Sequence, residues 1–157
     1  MTTLLNKYLV LLSVAFVLFS CDRFRIYEKN NEIIGNAWKS SDIMTYNVDI
    51  TDTGKPYNLY INIRNSGMYS YSNLYLFIKT RFPDSTYFLD TVECVLADET
   101  GKWLGKGTGN VIFNRIPYKM NFRFPQKGNY AFYIEQGMRV TELSDIMDVG
   151  LRIEEVD

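Results

Sequence analysis

The chain has 157 residues, with 17 Lys and Arg against 18 Asp and Glu and no His, for a formal net charge of −1. A near-neutral balance carries no electrostatic footprint for nucleic acid. The lack of histidine removes Ser-His-Asp and Cys-His catalysis as well as His-ligated zinc, so any hydrolase chemistry would fall to carboxylates.

The first element is an export signal. Lys7 precedes an apolar run from Tyr8 to Phe19, too short for a spanning helix of about 20 residues and the right length for a secretory signal. Leu18-Phe19-Ser20-Cys21 resembles the bacterial lipoprotein box, with Phe19 bulkier than usual. Use of that box removes residues 1–20, leaves 137 of the 157 residues, and places acyl chains, palmitate among them, on Cys21. Two or more chains, at about 0.8 kcal/mol per buried CH₂, anchor a protein stably. The mature chain then holds 16 basic and 18 acidic residues. It is long enough for one independent core, burying about 68–70% of its unfolded surface.

Residues 21–37 read as the lipidated N-terminus and a polar tether, and 38–157 as a single domain. From Met44 the pattern is alternation, the period of half-buried strands. Met44, Tyr46, Val48 and Ile50 alternate with polar residues; Asp52-Thr53-Gly54-Lys55-Pro56 supplies a turn; Leu59, Ile61 and Ile63 follow, and the two runs read as a hairpin. Leu74, Leu76 and Ile78 continue, with Tyr75 and Phe77 making the second face apolar too, which predicts a central strand covered on that face by a loop or partner. Phe88, Val92, Cys94 and Leu96 form a further set, then Val111–Phe113, then Tyr118, Met120, Phe122 and Phe124. Tyr130, Phe132 and Ile134 precede the closing Val149, Leu151 and Ile153, and Gly137–Met147 is the segment that suits a helical turn. About eight short strands at regular spacing, with 12 Tyr and 10 Phe, predict an all-β antiparallel sandwich, jelly-roll-like, with little helix.

No stretch offers catalytic chemistry. Asp90 and Glu93 are the nearest carboxylate pair, but residues three apart on a strand point to opposite faces. Acidic residues lack the spacing of a calcium loop, so neither a metal nor a cofactor is expected. Gly101-Lys102-Trp103-Leu104-Gly105-Lys106-Gly107-Thr108-Gly109 lacks the phosphate-loop spacing and reads as a turn at Asp98–Gly101, a short strand and glycines that permit close backbone approach. If Cys21 is lipidated, Cys94 has no intramolecular partner and reads as a small core residue. Tyr69 and Tyr71 sit in a loop, Met68–Asn73, of the kind that anchors a protein or stacks on a sugar.

Asp52–Asn65, Tyr71 with Asn73-Leu74, Asp90-Thr91-Val92-Glu93, Leu104-Gly105 with Gly107, Gln136-Gly137-Met138-Arg139 and Asp148-Val149-Gly150-Leu151-Arg152 together resemble the gliding-motility lipoprotein GldH family of the Bacteroidota. Gly137 stands where that family usually has alanine, and Asp145 where a glycine usually precedes the isoleucine. The resemblance implies a non-catalytic envelope lipoprotein serving gliding and the associated type 9 secretion system. On that reading Tyr69, Tyr71 and Trp103 are the expected protein anchors and Arg64 and Arg139 their hydrogen-bonding companions. The Asp22-Arg23-Phe24-Arg25 start is not the acidic surface-export signal of this phylum, which favours the periplasmic face of the outer membrane. A lipid-anchored carbohydrate-binding module is the competing reading, and an exposed, coplanar row of Tyr69, Tyr71 and Trp103 would favour it.

Overall fold

The computed structural model describes residues 22–156; the signal segment and Cys21 lie outside the described residues. In chain order the strands are β1 (Arg25–Glu32), β2 (Ala37–Lys39), β3 (Met44–Ile50), β4 (Tyr57–Ser66), β5 (Asn73–Arg81), β6 (Tyr87–Val95), β7 (Lys106–Thr108), β8 (Val111–Phe122), β9 (Gly128–Gln136), β10 (Glu142–Ser144) and β11 (Ile146–Glu155), with one short 3-10 turn at Ile34–Asn36. One antiparallel sheet has the order β1-β11-β4-β8-β7, a second β3-β9-β5-β6, and β10 pairs with β2 in a small third. With the three-residue strands set aside, the two large sheets form a double Greek-key jelly roll.

The alternation seen in the sequence builds the core between these sheets. Tyr46, Val48 and Ile50 on β3, Leu74, Leu76 and Ile78 on β5, and Phe132 and Ile134 on β9 face Leu59, Ile61 and Ile63 on β4 and Val149, Leu151 and Ile153 on β11. Period-two burial of branched and aromatic side chains supplies the packing. Large aromatics bring polar tips inside, and each finds a partner, as buried groups must. Tyr46 Oη donates to the Val149 carbonyl across the sandwich at 2.6 Å, and Trp38 Nε1 to the Asp42 carbonyl at 2.8 Å.

Four sequence expectations change. First, the strands number eleven rather than eight: Val111–Phe113 and Tyr118–Phe122 are parts of one β8, and β1, β2, β7 and β10 are added. Pro117 hid that continuity; it is tolerated because β7 pairs only with Val111–Phe113, leaving the rest of β8 an edge. Second, β3 and β4 are not a hairpin. β3 pairs with β9 while β4 pairs with β11 and β8, so residues 51–56 carry the chain from one sheet to the other. The local turn chemistry, with Asp52 Oδ1 accepting from Gly54 N and Tyr57 Oη donating to the Asp52 carbonyl, is the same whichever partner the strand then chooses.

Third, the segment expected as a tether contains β1, hydrogen-bonded to β11 along Tyr27–Glu32. It shows little apolar periodicity because polar groups hold its outer face: Glu28 accepts from Arg152 and Asn62, and Asn30 accepts from the Asn62 amide. Fourth, Gly137–Met147 is not a helical turn. Gln136 folds it into a bend by accepting from Met138 N and donating to the Val140 carbonyl, after which Leu143, buried, centres β10.

The register gives the sandwich two distinct ends. The start of β1, the 51–56 and 123–127 connections, the β5–β6 turn and the end of β11 lie together, tied by Phe24 O accepting from Glu155 N at 2.8 Å and by Gln126 Nε2 donating to Asp84 at 2.7 Å. The loops after β4, β6 and β9 lie at the opposite end, where Ser66 N donates to the Asp145 carbonyl at 2.9 Å.

Candidate docking surface

The loops at the end remote from β1's start are each fixed by short-range hydrogen bonding. After β4, Ser66 Oγ accepts from Met68 N at 3.0 Å and donates to Asp145 Oδ1 at 2.6 Å. That locks the turn leading into Tyr69. After β6, the Asp98 carboxylate accepts from Thr100 Oγ1 at 2.7 Å and from the Thr100 and Lys102 amides, while Gly101 takes φ +82°. The Thr100 hydroxyl, then the backbone amides, hold the Asp98 carboxyl below its ordinary value. The turn closes as expected, and the short strand beyond it is a single bridge between Trp103 and Ala97.

Glycines then let β7 lie tight against β8. A Cβ on Gly107 would sit 2.0 Å from the Val111 carbonyl oxygen. After β9, Gly137 N donates to the Tyr75 carbonyl at 2.7 Å, and Met138 Sδ accepts from Tyr75 N at 3.4 Å. The second apolar face of β5 is thus partly covered by the chain's own bend.

These loops bring four of the five partner-contact candidates to one region. Tyr69 is 5% exposed and donates its hydroxyl to the Asn73 carbonyl at 3.0 Å, so it is a floor rather than a contact. Burial pushes its phenol well above the ordinary value. Tyr71, 40% exposed, stands edge-on to it with centroids 5.6 Å apart, and the half-buried Trp103 ring lies 6.4 Å from that of Tyr69. The interplanar angles are 62° and 39°, so the three rings are not a coplanar row. Tyr71 and Arg139 line one open hollow of about 570 Å³ with Tyr75, Phe77, Thr91 and Met138.

Arg64 is elsewhere. It projects from the outer face of the five-stranded sheet, where its guanidinium binds Asp148, next to Asn30 and Glu32. Burial raises the Asp148 carboxyl above its ordinary value despite that arginine. Cys21 lies outside the described residues. Sequence reasoning passed over Tyr75, Phe77 and Met138 as contacts, although the two apolar faces of β5 were visible; it read that second face as covered, and Tyr75 and Phe77 remain exposed.

The two carboxylates nearest each other in sequence are not brought together beside this surface. Asp90 points between the sheets and binds Lys119 Nζ at 3.1 Å, whereas Glu93 points outward and accepts from Asn73 Nδ2 at 2.7 Å. Cys94 is buried, which pushes its thiol up to about 12 and keeps it from being a thiolate nucleophile. Among the described residues no helix is long and apolar enough to cross a membrane.

Comparison with known proteins supplies the context. The family model described as GldH lipoprotein matches residues 25–153, from the first residue of β1 into β11. The gliding motility lipoprotein GldH homolog of Christiangramia forsetii is 38% identical over 149 residues, covering 90% of this chain and 91% of its own length. The gliding motility lipoprotein GldH of Flavobacterium johnsoniae is 33% identical over 155 residues, covering 94% and 96%. Among solved structures, a 4-O-methyl-α-glucuronidase with specificity for decorated arabinogalactans aligns with 88% of this chain and 18% of its own at a TM-score of 0.44 and 14% identity, a likeness that carries no functional argument. The family match and both full-length relatives agree: this chain belongs to the GldH lipoprotein family.

Proposed function

We propose that this protein is a lipid-anchored, non-catalytic component of the gliding-motility and type 9 secretion machinery that assembles or stabilises it by surface contact. In this reading Cys21 carries the acyl chains, and the domain stands on the periplasmic face of the outer membrane. The observation that carries it is spatial. Tyr71, Trp103 and Arg139 gather at the end of the jelly roll opposite Asp22, the residue that follows Cys21, so the exposed aromatic and arginine groups face away from the anchoring membrane. Aromatic and arginine side chains beside an apolar hollow are the residue types that dominate protein interfaces.

The separation of Asp90 from Glu93 and the buried Cys94 thiol support a role without chemistry. The tilted rings and the buried Tyr69 speak against a sugar platform, which needs a flat exposed row. Mild cross-linking in native cells, with recovery of the tagged lipidated protein, tests the proposal. Gliding or secretion components are expected in the wild-type sample and depleted by Tyr71→Ala combined with Arg139→Ala. Recovery of no protein partner would overturn it.

A further inference from the structure

The absence of a spacer between the lipid-bearing residue and the fold has a physical consequence. Asp22 directly follows Cys21, and it is already part of the folded unit. Its carboxylate is bound by the guanidinium of Arg152, which is only 3% exposed on β11, and its carbonyl accepts from Arg25 N at 3.3 Å. Phe24 is held in turn by Glu155 N at 2.8 Å. Consecutive Cα atoms lie about 3.8 Å apart, so acyl chains on Cys21 would be joined to the chain one residue before this folded surface. A lipidated protein with a long polar leader would wander over a radius growing as the square root of the leader's length; this one has no such freedom.

The side chains around that point have the chemistry of a bilayer surface. Asp22-Arg23-Phe24-Arg25-Ile26 interleaves two arginines with two apolar residues, and Phe24 and Ile26 are 41% and 42% exposed. Arg23 and Arg25 are exposed beside them, and Arg123 and Lys127 are exposed on the neighbouring 123–127 connection. Asp22 is charge-paired inward with Arg152, and Glu155 with Lys55. The acidic groups nearest the anchor are therefore satisfied within the protein; Arg25 is exposed but leans on Glu28 at 3.2 Å and Arg123 donates to the Gly54 carbonyl, while Arg23 and Lys127 are exposed beside Phe24 and Ile26. Arginine matches lipid phosphate in charge and geometry, and apolar side chains flanked by cations settle about 5–10 Å into the headgroup region.

We propose that the end of the jelly roll bearing Arg23, Phe24, Arg25 and Ile26 docks directly on the phospholipid bilayer that holds the acyl chains, which fixes the domain upright; this rests on the reading of Cys21 as the lipidated residue. β1 then rises from the membrane, and its eight residues at about 3.3 Å each hold the opposite end about 25 Å above the headgroups. The docked end sets the height and direction in which Tyr71 and Arg139 meet a partner.

The test uses the full lipidated protein in vesicles of phosphatidylethanolamine and phosphatidylglycerol with brominated acyl chains, which quench tryptophan on contact. Phe24→Trp and Ile34→Trp are compared; Ile34 is 94% exposed beyond the far end of β1, and the native Trp38 and Trp103 give both variants the same background. Emission from position 24 is expected to shift to the blue and lose most of its intensity to the brominated lipid, with position 34 unchanged. Replacing both arginines, Arg23→Gln with Arg25→Gln, is expected to weaken the quenching at 24 without detaching the protein. Protein that floats with the vesicles but is quenched equally weakly at both positions overturns the docking alone. A blue shift at position 24 without lipid quenching also overturns it, since another protein surface then covers the patch. Protein that fails to float overturns the lipid anchor and the docking with it.

Discussion

Single residues in this fold show why particular side chains stand where they do. Asp145 takes φ +68° immediately before β11, a conformation glycine adopts without strain and aspartate tolerates better than most residues. Its carboxylate compensates by accepting from Ser66 Oγ at 2.6 Å, tying the connection before β11 to the loop that carries Tyr69. Aspartate at this position therefore exchanges the backbone freedom of a glycine for a hydrogen bond. Asp145→Gly is expected to change stability by less than about 1 kcal/mol, because the two effects oppose each other. Asp145→Ala loses the bond and keeps the strain, and is expected to cost about 1–2 kcal/mol. Denaturant midpoints of the two variants check the order, and an alanine variant as stable as the glycine one would contradict it. Cys94 gives a second check at this scale. Its buried thiol, pushed up to about 12, is expected to resist alkylation in the native protein at neutral pH and to react fully once the protein is unfolded.

At the scale of elements, β1 decides the shape of the five-stranded sheet. Gly150 of β11 lies opposite Asn30, and a Cβ there would meet the Asn30 side-chain oxygen at 1.8 Å and the Lys29 carbonyl oxygen at 2.8 Å. Gly150→Ala is expected to cost about 1–3 kcal/mol by overpacking. Adding Asn30→Ala is expected to return part of the loss, because only the side-chain clash is relieved; thermal or denaturant unfolding of the single and double variants measures that coupling. This element also marks the limit of what the sequence showed. β3 and the body of β4 were legible because apolar residues alternate with polar ones, and β5 and the core of β9 because branched or aromatic residues recur at every second position on the buried face. β1 was not, because its outer residues Glu28 and Asn30 are held by partners up to 124 positions away. Tyr69 and Tyr71 were legible as aromatic loop residues and Trp103 as an aromatic on a short strand, but that Arg64 stands apart from them was not. Its tie to Asp148 follows from the pairing of β4 with β11, which no local pattern reveals.

The described domain has one end at which Asp22 leads into β1, a packed middle and a far end that offers aromatic and cationic side chains. Its acid stability should reflect the polar face of the larger sheet. Burial would raise the Glu28 carboxyl, but hydrogen bonds from Asn62, Arg152 and Arg25 outweigh it and hold the group below its ordinary 4.5. The stability it contributes is present above that value and is lost as pH falls through the lowered folded value. Asp148 works in the opposite sense. Its folded value is raised above 3.8, so its contribution is greatest at low pH and declines as pH rises through the folded value. Glu28→Gln is therefore expected to flatten the acid limb of the stability profile below about pH 4.5, and Asp148→Asn to steepen it, as read from unfolding midpoints between pH 3 and 7.

The claim that the far end docks a protein of the gliding or secretion machinery is tested most directly by a photoreactive amino acid placed at single positions in the lipidated protein in living cells. Positions 71 and 139 are expected to capture the same defined envelope protein, while positions 24 and 26, at the opposite end, do not capture it. Capture of that protein from 24 and 26 but not from 71 and 139, or capture of no protein from any of the four, would contradict the account.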